Sequence, residues 1–271
     1  MSVPQSRTES IAGMAKPRKS RKAEPHIVVL SSDKELSLRE RLYKSFDECP
    51  IPKNELFTNL GLFLNRQTLS RILFMHELYQ KIVTVHGIVV EFGTRWGQNL
   101  ALFSSFRGMY EPFNYTRKIV GFDTFEGFTA ISSKDKRSEG VAVGGYGVSR
   151  NYEEYLEGIL TYHEQESPLA HIRKYQLVKG DVTVTLPRYL NENPETMIAL
   201  AYFDLDLYEP TRKCLEFIQN YVTRGSVLAF DELNHPAFPG ETVALREVLA
   251  LQKYKIIRSP LTPAQSYLVI E

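Results

Sequence analysis

Several short apolar runs in this chain end in carboxylates. "VEFGTRWGQN" carries Glu91, "GFDTFEGF" carries Asp123 and "KGDV" carries Asp181. "YFDLDLYEPT" carries Asp204 and Asp206, and "FDEL" carries Asp231 and Glu232. Taking charge out of water is costly, so acids at the ends of buried runs need a reason. Asp204, Asp231 and Glu232 could converge at one edge of a pocket. Carboxylates that close repel unless a divalent cation neutralises them, and hard oxygen ligands suit Mg²⁺, Mn²⁺ or Ca²⁺ rather than zinc. Asp123 stands where an acid after a glycine-rich turn holds a ribose diol. Its distance in sequence from Gly93 exceeds the ~20 residues of the dinucleotide fingerprint, and the insert "RGMYEPFNYTR" accounts for the difference. Asp181 is placed to accept from an adenine amino group. Any one of these acids could instead cap a helix, but recurrence at successive run ends argues against capping throughout. For Asp206, two residues past Asp204, capping of the helix starting near "EPTRKCLEF" is the favoured reading over metal ligation.

Other residues have two readings each. Gly93 and Gly97 flank a tight turn where a backbone can approach a ligand closely. Their spacing is GxxxG rather than GxGxxG, and no GK[ST] follows, so a phosphate cradle is not indicated. His235 in "ELNHPAFPGET" is a candidate for proton transfer or a solvated loop histidine. Glu241 could belong to the site or complement a helix dipole. Trp96 could wall a pocket or pack.

The elements that must position these residues follow from periodicity. "GIVVEFG" (87–93), "KIVGFDTF" (118–125), "KYQLVKGDV" (174–182), "MIALAYFDLD" (197–206) and "SVLAFDEL" (226–233) are short β-branched or aromatic runs. Most are separated by helix-length stretches, the pattern of βαβ crossovers and a parallel sheet. "YKIIRSP" and "QSYLVIE" are joined only by "LTPA" and should form a hairpin, ending the sheet on an antiparallel strand. Residues 34 to 85 are helical, with Asp33 as N-cap and Leu69, Ile72, Leu73, His76 and Ile82 on one face. This gives a basic disordered tail over 1–25, a helical cap over 26–86 and an α/β domain over 87–271. Residues 129–152 are Gly/Ser-rich and long for a loop, and read as a substrate lid.

Composition excludes several classes. The chain has 271 residues, 43% hydrophobic and 24% charged, with a formal net charge of +1, so no global field favours nucleic acid or an anionic membrane. Cys49 and Cys214 match no metal or redox spacing and read as reduced thiols. No run is long and apolar enough to span a membrane, and no secretory signal core is present, so a cytoplasmic protein is expected.

"VEFGTRWGQNLAL", "KIVGFDTFEGF", "FDLDLYEPT" and "FDELNHPAFPGETVALRE" together resemble the macrocin O-methyltransferase (TylF-like) family of S-adenosylmethionine-dependent enzymes, from about Phe57 to the end. The resemblance implies a class I methyltransferase (Rossmann-like) sheet, mostly parallel with an antiparallel last strand. It also implies largely Mg²⁺-dependent O-methylation of sugars in natural-product pathways. On that basis Glu91, Gly93 and Gly97 would shape the methionine end of the cofactor pocket, Asp123 would bind the ribose and Asp181 the adenine, with Thr94 and Asp204 also among the cofactor-binding residues. Asp204, Asp231 and Glu232 would hold Mg²⁺. Asp204 would also take the proton from the acceptor hydroxyl, with His235 as a second candidate. The chain reads "DEL" where better-known members have a "DDY"-like run, and the longer glutamate puts the ion's position in question. The acceptor is a small hydroxylated molecule. Sugar follows from the resemblance, and another natural-product hydroxyl or an amine would fit the same residues. The N-terminal helices are a candidate homodimer interface. Two rivals are a nicotinamide-dependent oxidoreductase, disfavoured by the missing GxGxxG, and a non-catalytic S-adenosylmethionine-binding partner protein, disfavoured by the intact acids.

Overall fold

The computed structural model describes residues 31–135 and 141–271. The expected tail over 1–25 lies outside the described residues. Seven strands form one sheet: β1 (Ile88–Phe92), β2 (Ile119–Asp123), β3 (Tyr175–Lys179), β4 (Ile198–Phe203), β5 (Val222–Phe230), β6 (Ile257–Arg258) and β7 (Ser266–Val269). Their order is β3-β2-β1-β4-β5-β7-β6. β1 to β5 pair in parallel, whereas β7 runs antiparallel to both β5 and β6. The terminal hairpin therefore forms as the sequence predicts, with a longer connection that carries Gln265.

Every residue of β1 and of β4 is buried. The period-2 alternation of a strand sends neighbours to opposite faces. Val90, Phe92, Phe122 and Phe203 pack under α6 (Val182–Glu192), α7 (Tyr208–Ile218) and α8 (Gly240–Val248). Val89, Ile119, Leu200 and Tyr202 pack under α3 (Arg66–Ile82), α4 (Gln98–Tyr110) and α5 (Tyr152–Glu166). With both faces covered, the central strands read as continuous apolar runs.

The N-terminal helices differ from expectation in two respects. α1 (Asp33–Asp47) is capped by Ser32, which forms a capping box with Glu35, so Asp33 is already inside the helix. α3 buries Phe74, Met75, Leu78, Tyr79 and Ile82. Leu69 and Leu73, expected on its inner face, are each 43% exposed. The helix carries two apolar stripes, and periodicity alone does not say which one meets the sheet. Between α1 and α3 lie a single turn, α2 (Lys53–Leu56), and a 3-10 segment (Phe57–Leu62). Neither these nor α1 contains a buried residue. No helix among the described residues is long and apolar enough to cross a membrane.

Candidate active site

The chain runs outward from β1 through β2 to β3, then returns to place β4 on the other side of β1. Open α/β sheets bind ligands outside the carboxyl ends of the strands at such a switch point. A cleft of about 800 Å³ lies there, lined by Gly93 to Asn99, Asp123, Asp181, Asp204, Asp231 and Glu232 among others. All the expected site residues except Glu91 line it, and Glu91 sits behind it through Asn99.

The acids at the ends of β2 and β3 are held by backbone N–H groups. Asp123 Oδ2 accepts from the Arg95 N–H at 2.7 Å and Oδ1 from the Phe125 N–H at 2.5 Å. Asp181 is indeed the N-cap of α6, its Oδ1 accepting from Thr183 N and Oγ1, and it also faces the cleft. The capping and ligand readings of this residue are therefore compatible. Glu91 is 1% exposed; Asn99 donates to its Oε1 at 2.7 Å, while Oε2 is buried without a partner. Burial holds the Glu91 carboxyl well above the usual range despite that bond. Thr94 Oγ1 is likewise buried and unpartnered.

The turn glycines are required by the protein itself. Gly93 has φ +90, and a Cβ there would lie 1.9 Å from the Asp204 carbonyl oxygen. A Cβ on Gly97 (φ +76) would meet the Leu156 side chain at 2.3 Å. Gly93 thus lets the ends of β1 and β4 close on each other beside the cleft.

The acidic corner contains a cation that the sequence reading missed. Arg71, on α3, donates through Nη2 to Asp204 Oδ2 at 2.7 Å and through Nη1 to Asp231 Oδ1 at 2.8 Å. Tyr202 Oη and Gln265 Nε2 also donate to Asp231 Oδ1. Burial alone would raise the Asp231 pKa, but the guanidinium and these bonds outweigh it and hold the group below its usual value. Asp204 has one such partner. Burial first, and then the Asp231 charge, push it up to about 7 against the pull of Arg71. Its side chain keeps 27% exposure, on the cleft. Burial, then Asp231 and Asp204, push Glu232 up to about 8. Glu241 is fully buried and ties the two acidic loops together, accepting from Leu205 N and from Glu232 N at 3.2 Å each.

The expectation that Asp206 caps a helix is overturned. Leu207 is the N-cap of α7, with no side-chain cap. The first N–H of that helix, on Tyr208, donates instead to Asp135 Oδ1 at 2.7 Å, from the 129–152 segment. Asp206 is left-handed (φ 61) and turned into the acidic corner, where burial and then Asp204 and Glu232 raise its pKa well above the usual range. The described part of 129–152 contributes Thr129 and Tyr146 to the lining of the cleft, and Lys134 ties it to Glu247. His235 lines the cleft, its Nδ1 accepting from Ala237 N at 3.3 Å and lying 3.7 Å from Glu232 Oε2.

Hard carboxylate donors, and a buried Glu232 Oε2 without a hydrogen-bond partner, suit a divalent cation by type. The expected trio of Asp204, Asp231 and Glu232 does not form a ligand shell, because the Arg71 guanidinium stands between the two aspartates. Among the described residues no three His, Cys, Asp or Glu side chains are placed to hold a metal ion.

No protein-family model and no curated protein matches the chain. Solved structures do. A crystal structure of CalS11, a calicheamicin methyltransferase, has 45% sequence identity and a TM-score of 0.86, covering 89% of this chain and 94% of that one. An apo structure of the same enzyme, described as a TDP-rhamnose 3'-O-methyltransferase of calicheamicin biosynthesis, has 44% identity and a TM-score of 0.79, covering 89% and 96%. The O-methyltransferase NovP shares the fold at 17% identity and a TM-score of 0.57, covering 74% and 79%.

Proposed function

Because the chain belongs to the class I S-adenosylmethionine-dependent O-methyltransferases, we propose that it methylates a hydroxyl of a sugar, carried on a nucleotide as in the CalS11 reaction, within natural-product biosynthesis. The observation that carries this reading is Asp204: a carboxylate on the cleft at the β1/β4 switch point, with its pKa brought up to about 7. A general base works best when its pKa lies near the working pH.

The methyl of S-adenosylmethionine is already electrophilic, so the protein's task is alignment and proton removal. Thr94 Oγ1 is the unpartnered group of the cleft wall at the methionine end of the cofactor, with Glu91 behind it bracing the turn through Asn99; Asp123 serves the ribose hydroxyls, and Asp181 the adenine amino group through the oxygen that Thr183 does not engage. Asp204 accepts the proton of the acceptor hydroxyl as its oxygen attacks the methyl carbon and the C–S bond breaks, releasing S-adenosylhomocysteine. His235, with Nδ1 turned to Ala237, has Nε2 for passing that proton to solvent.

Mg²⁺ assistance is supported by the surplus of carboxylates over cations in the corner. An ion held by Asp204, Asp231 and Glu232 would lower the acceptor's pKa. It would have to take both aspartates from Arg71. A metal-independent reaction, with Arg71 as the resident positive charge, is favoured by the ion pairs themselves. Transfer of labelled methyl to a panel of glycosides and nucleotide sugars, with and without EDTA, tests the activity and separates the two.

A homodimer through the N-terminal helices is part of the same reading. Leu38, Tyr43, Phe57 and Leu62 are 51 to 70% exposed, and Leu69 and Leu73 form the outward stripe of α3. The large apolar side chains of this region expose on the order of 1,000 Å², against ~800 Å² per partner in a standard interface. α1 has Asp33 and Glu35 in its first turn and Lys44 in its last, so two copies crossing antiparallel about a two-fold set opposite charges together.

A further inference from the structure

Charge is sorted along the cleft. Its inner corner holds Asp204, Asp206, Asp231 and Glu232, and its outer end is built by α1 and α3 with Arg39, Gln67 and Thr68. Three arginines line it, and two of them act on the inner acids. Arg71 is bound to Asp204 and Asp231. Arg95, on the turn after β1, has its guanidinium over the Tyr146 ring at 4.9 Å and the Trp96 ring at 5.9 Å; its Nε is buried without a hydrogen-bond partner, and its charge acts on Asp123 and Asp204 at the inner end. Arg39 forms no ion pair among the described residues. Its hydrogen bond goes to the neutral Gln67 Oε1, at 2.9 Å. Glu35, one turn earlier on the same helix, is turned to Ser32, whose N–H and Oγ both donate to it at 2.9 Å.

The spacing is also informative. Gln67 and Arg71 are four residues apart on α3 and share a face, about 6 Å from each other along the helix axis. Arg39 holds Gln67, and Arg71 holds Asp204, so the guanidinium of Arg39 and the proposed base are tied to successive turns of the same face of α3. A sugar whose hydroxyl reaches Asp204 presents its anomeric substituent about one ring further out, toward Arg39. A neutral glycoside has no use for an arginine without an ion-pair partner there, whereas a planar guanidinium suits a phosphate in forked geometry. A diphosphate is repelled by the inner acids and attracted by the outer cation, so the two ends of the cleft admit a nucleotide sugar only sugar-first.

We propose that Arg39, presented by Gln67, is the diphosphate-binding residue for a nucleoside diphosphate sugar acceptor, and that it fixes the orientation in which the sugar enters. This rests on the O-methyltransferase reading above, with its nucleotide-sugar acceptor, and deepens it by naming the residue that recognises the diphosphate. The test uses the full chain loaded with S-adenosylhomocysteine, with calorimetric titration of thymidine diphosphate and of thymidine into wild type and Arg39→Gln. Thymidine diphosphate should bind wild type at least tenfold more tightly than it binds the variant, and thymidine should not distinguish them. With TDP-rhamnose as acceptor, the variant should show a KM raised at least tenfold at nearly unchanged kcat. Unchanged S-adenosylhomocysteine affinity verifies that the variant is folded, as expected for a residue on a helix with no buried positions. Equal affinity of the two proteins for thymidine diphosphate, or methyl transfer to simple rhamnosides as efficient as to TDP-rhamnose, would overturn the proposal while leaving the methyltransferase reading intact. Absence of methyl transfer to every acceptor by wild type would instead remove the reading on which it rests.

Discussion

The strand ends and the N-terminal helices contribute to the same cleft in opposite ways. The strand ends bring acids, fixed by a sheet whose central strands are buried throughout. The helices bring cations, Arg71 and Arg39, from a region where α1 buries nothing. A rigid sheet can place carboxylates within reach of each other only if something balances them, and here the balancing charge arrives from a separate, more exposed element. The comparison teaches that the acidity of the corner is a property of the sheet, while its degree of neutralisation is set by the position of α3.

Breaking the acid side should have the largest effect. Asp204→Asn should lower kcat by at least ~100-fold, the scale of general-base catalysis, with S-adenosylmethionine affinity by calorimetry within a few-fold of wild type. A variant that keeps full kcat would place the base elsewhere. Breaking the cation side comes next. Arg71→Gln leaves Asp204 and Asp231 facing each other and should destabilise the fold by about 2–3 kcal/mol in urea denaturation, short of the full penalty for a buried pair because the site is partly open. If Mg²⁺ can take this corner, millimolar Mg²⁺ should restore most of that loss in Arg71→Gln and little in wild type.

The pH dependence of stability sharpens the same contrast. Asp204 at about 7 and Glu232 at about 8 both lie above their unfolded values near 4. Between these limits the folded chain binds protons that the unfolded chain has released. The contribution of these two groups is therefore fullest below pH 4 and is lost as pH rises to about 8. Their part should appear as a lower Tm at pH 8 than at pH 6, and the difference should shrink in Glu232→Gln. A difference that survives that substitution unchanged would remove Glu232 from the account. The smallest catalytic effect is expected at the outer surface. Phe57→Glu with Leu62→Glu should convert a dimer to a monomer by light scattering, with kcat changed only a few-fold; a monomeric wild type would end the homodimer proposal.

Much of the sheet was legible because buried parallel strands are short, apolar and bounded by acids or glycines, and the antiparallel ending followed from the short connection after "YKIIRSP". The acids of the site were legible for the same reason. Arg71 is not, because α3 carries two apolar stripes and periodicity alone equally suits the one with Leu69 and Leu73. On the stripe that is buried, Arg71 precedes Phe74 and Met75 by one turn, and a charge continuing an inward face is the signal that would have found it. Asp206 was misread as a cap because the residue that serves the α7 N-terminus, Asp135, is more than seventy positions away in sequence. Long-range partners of that kind leave no local pattern. Gln265 and Tyr202 meet Asp231 across the sheet and were hidden in the same way.

The central claim is that this cleft moves a methyl group from S-adenosylmethionine to a sugar hydroxyl. It is tested most directly by incubating the protein with ¹³C-methyl S-adenosylmethionine and TDP-rhamnose and recording the carbon–proton correlation spectrum of the product. The account predicts a new O-methyl signal on the sugar ring that is absent with Asp204→Asn over the same time. A labelled methyl on nitrogen or carbon, or no transfer from a protein that binds the cofactor, would contradict it.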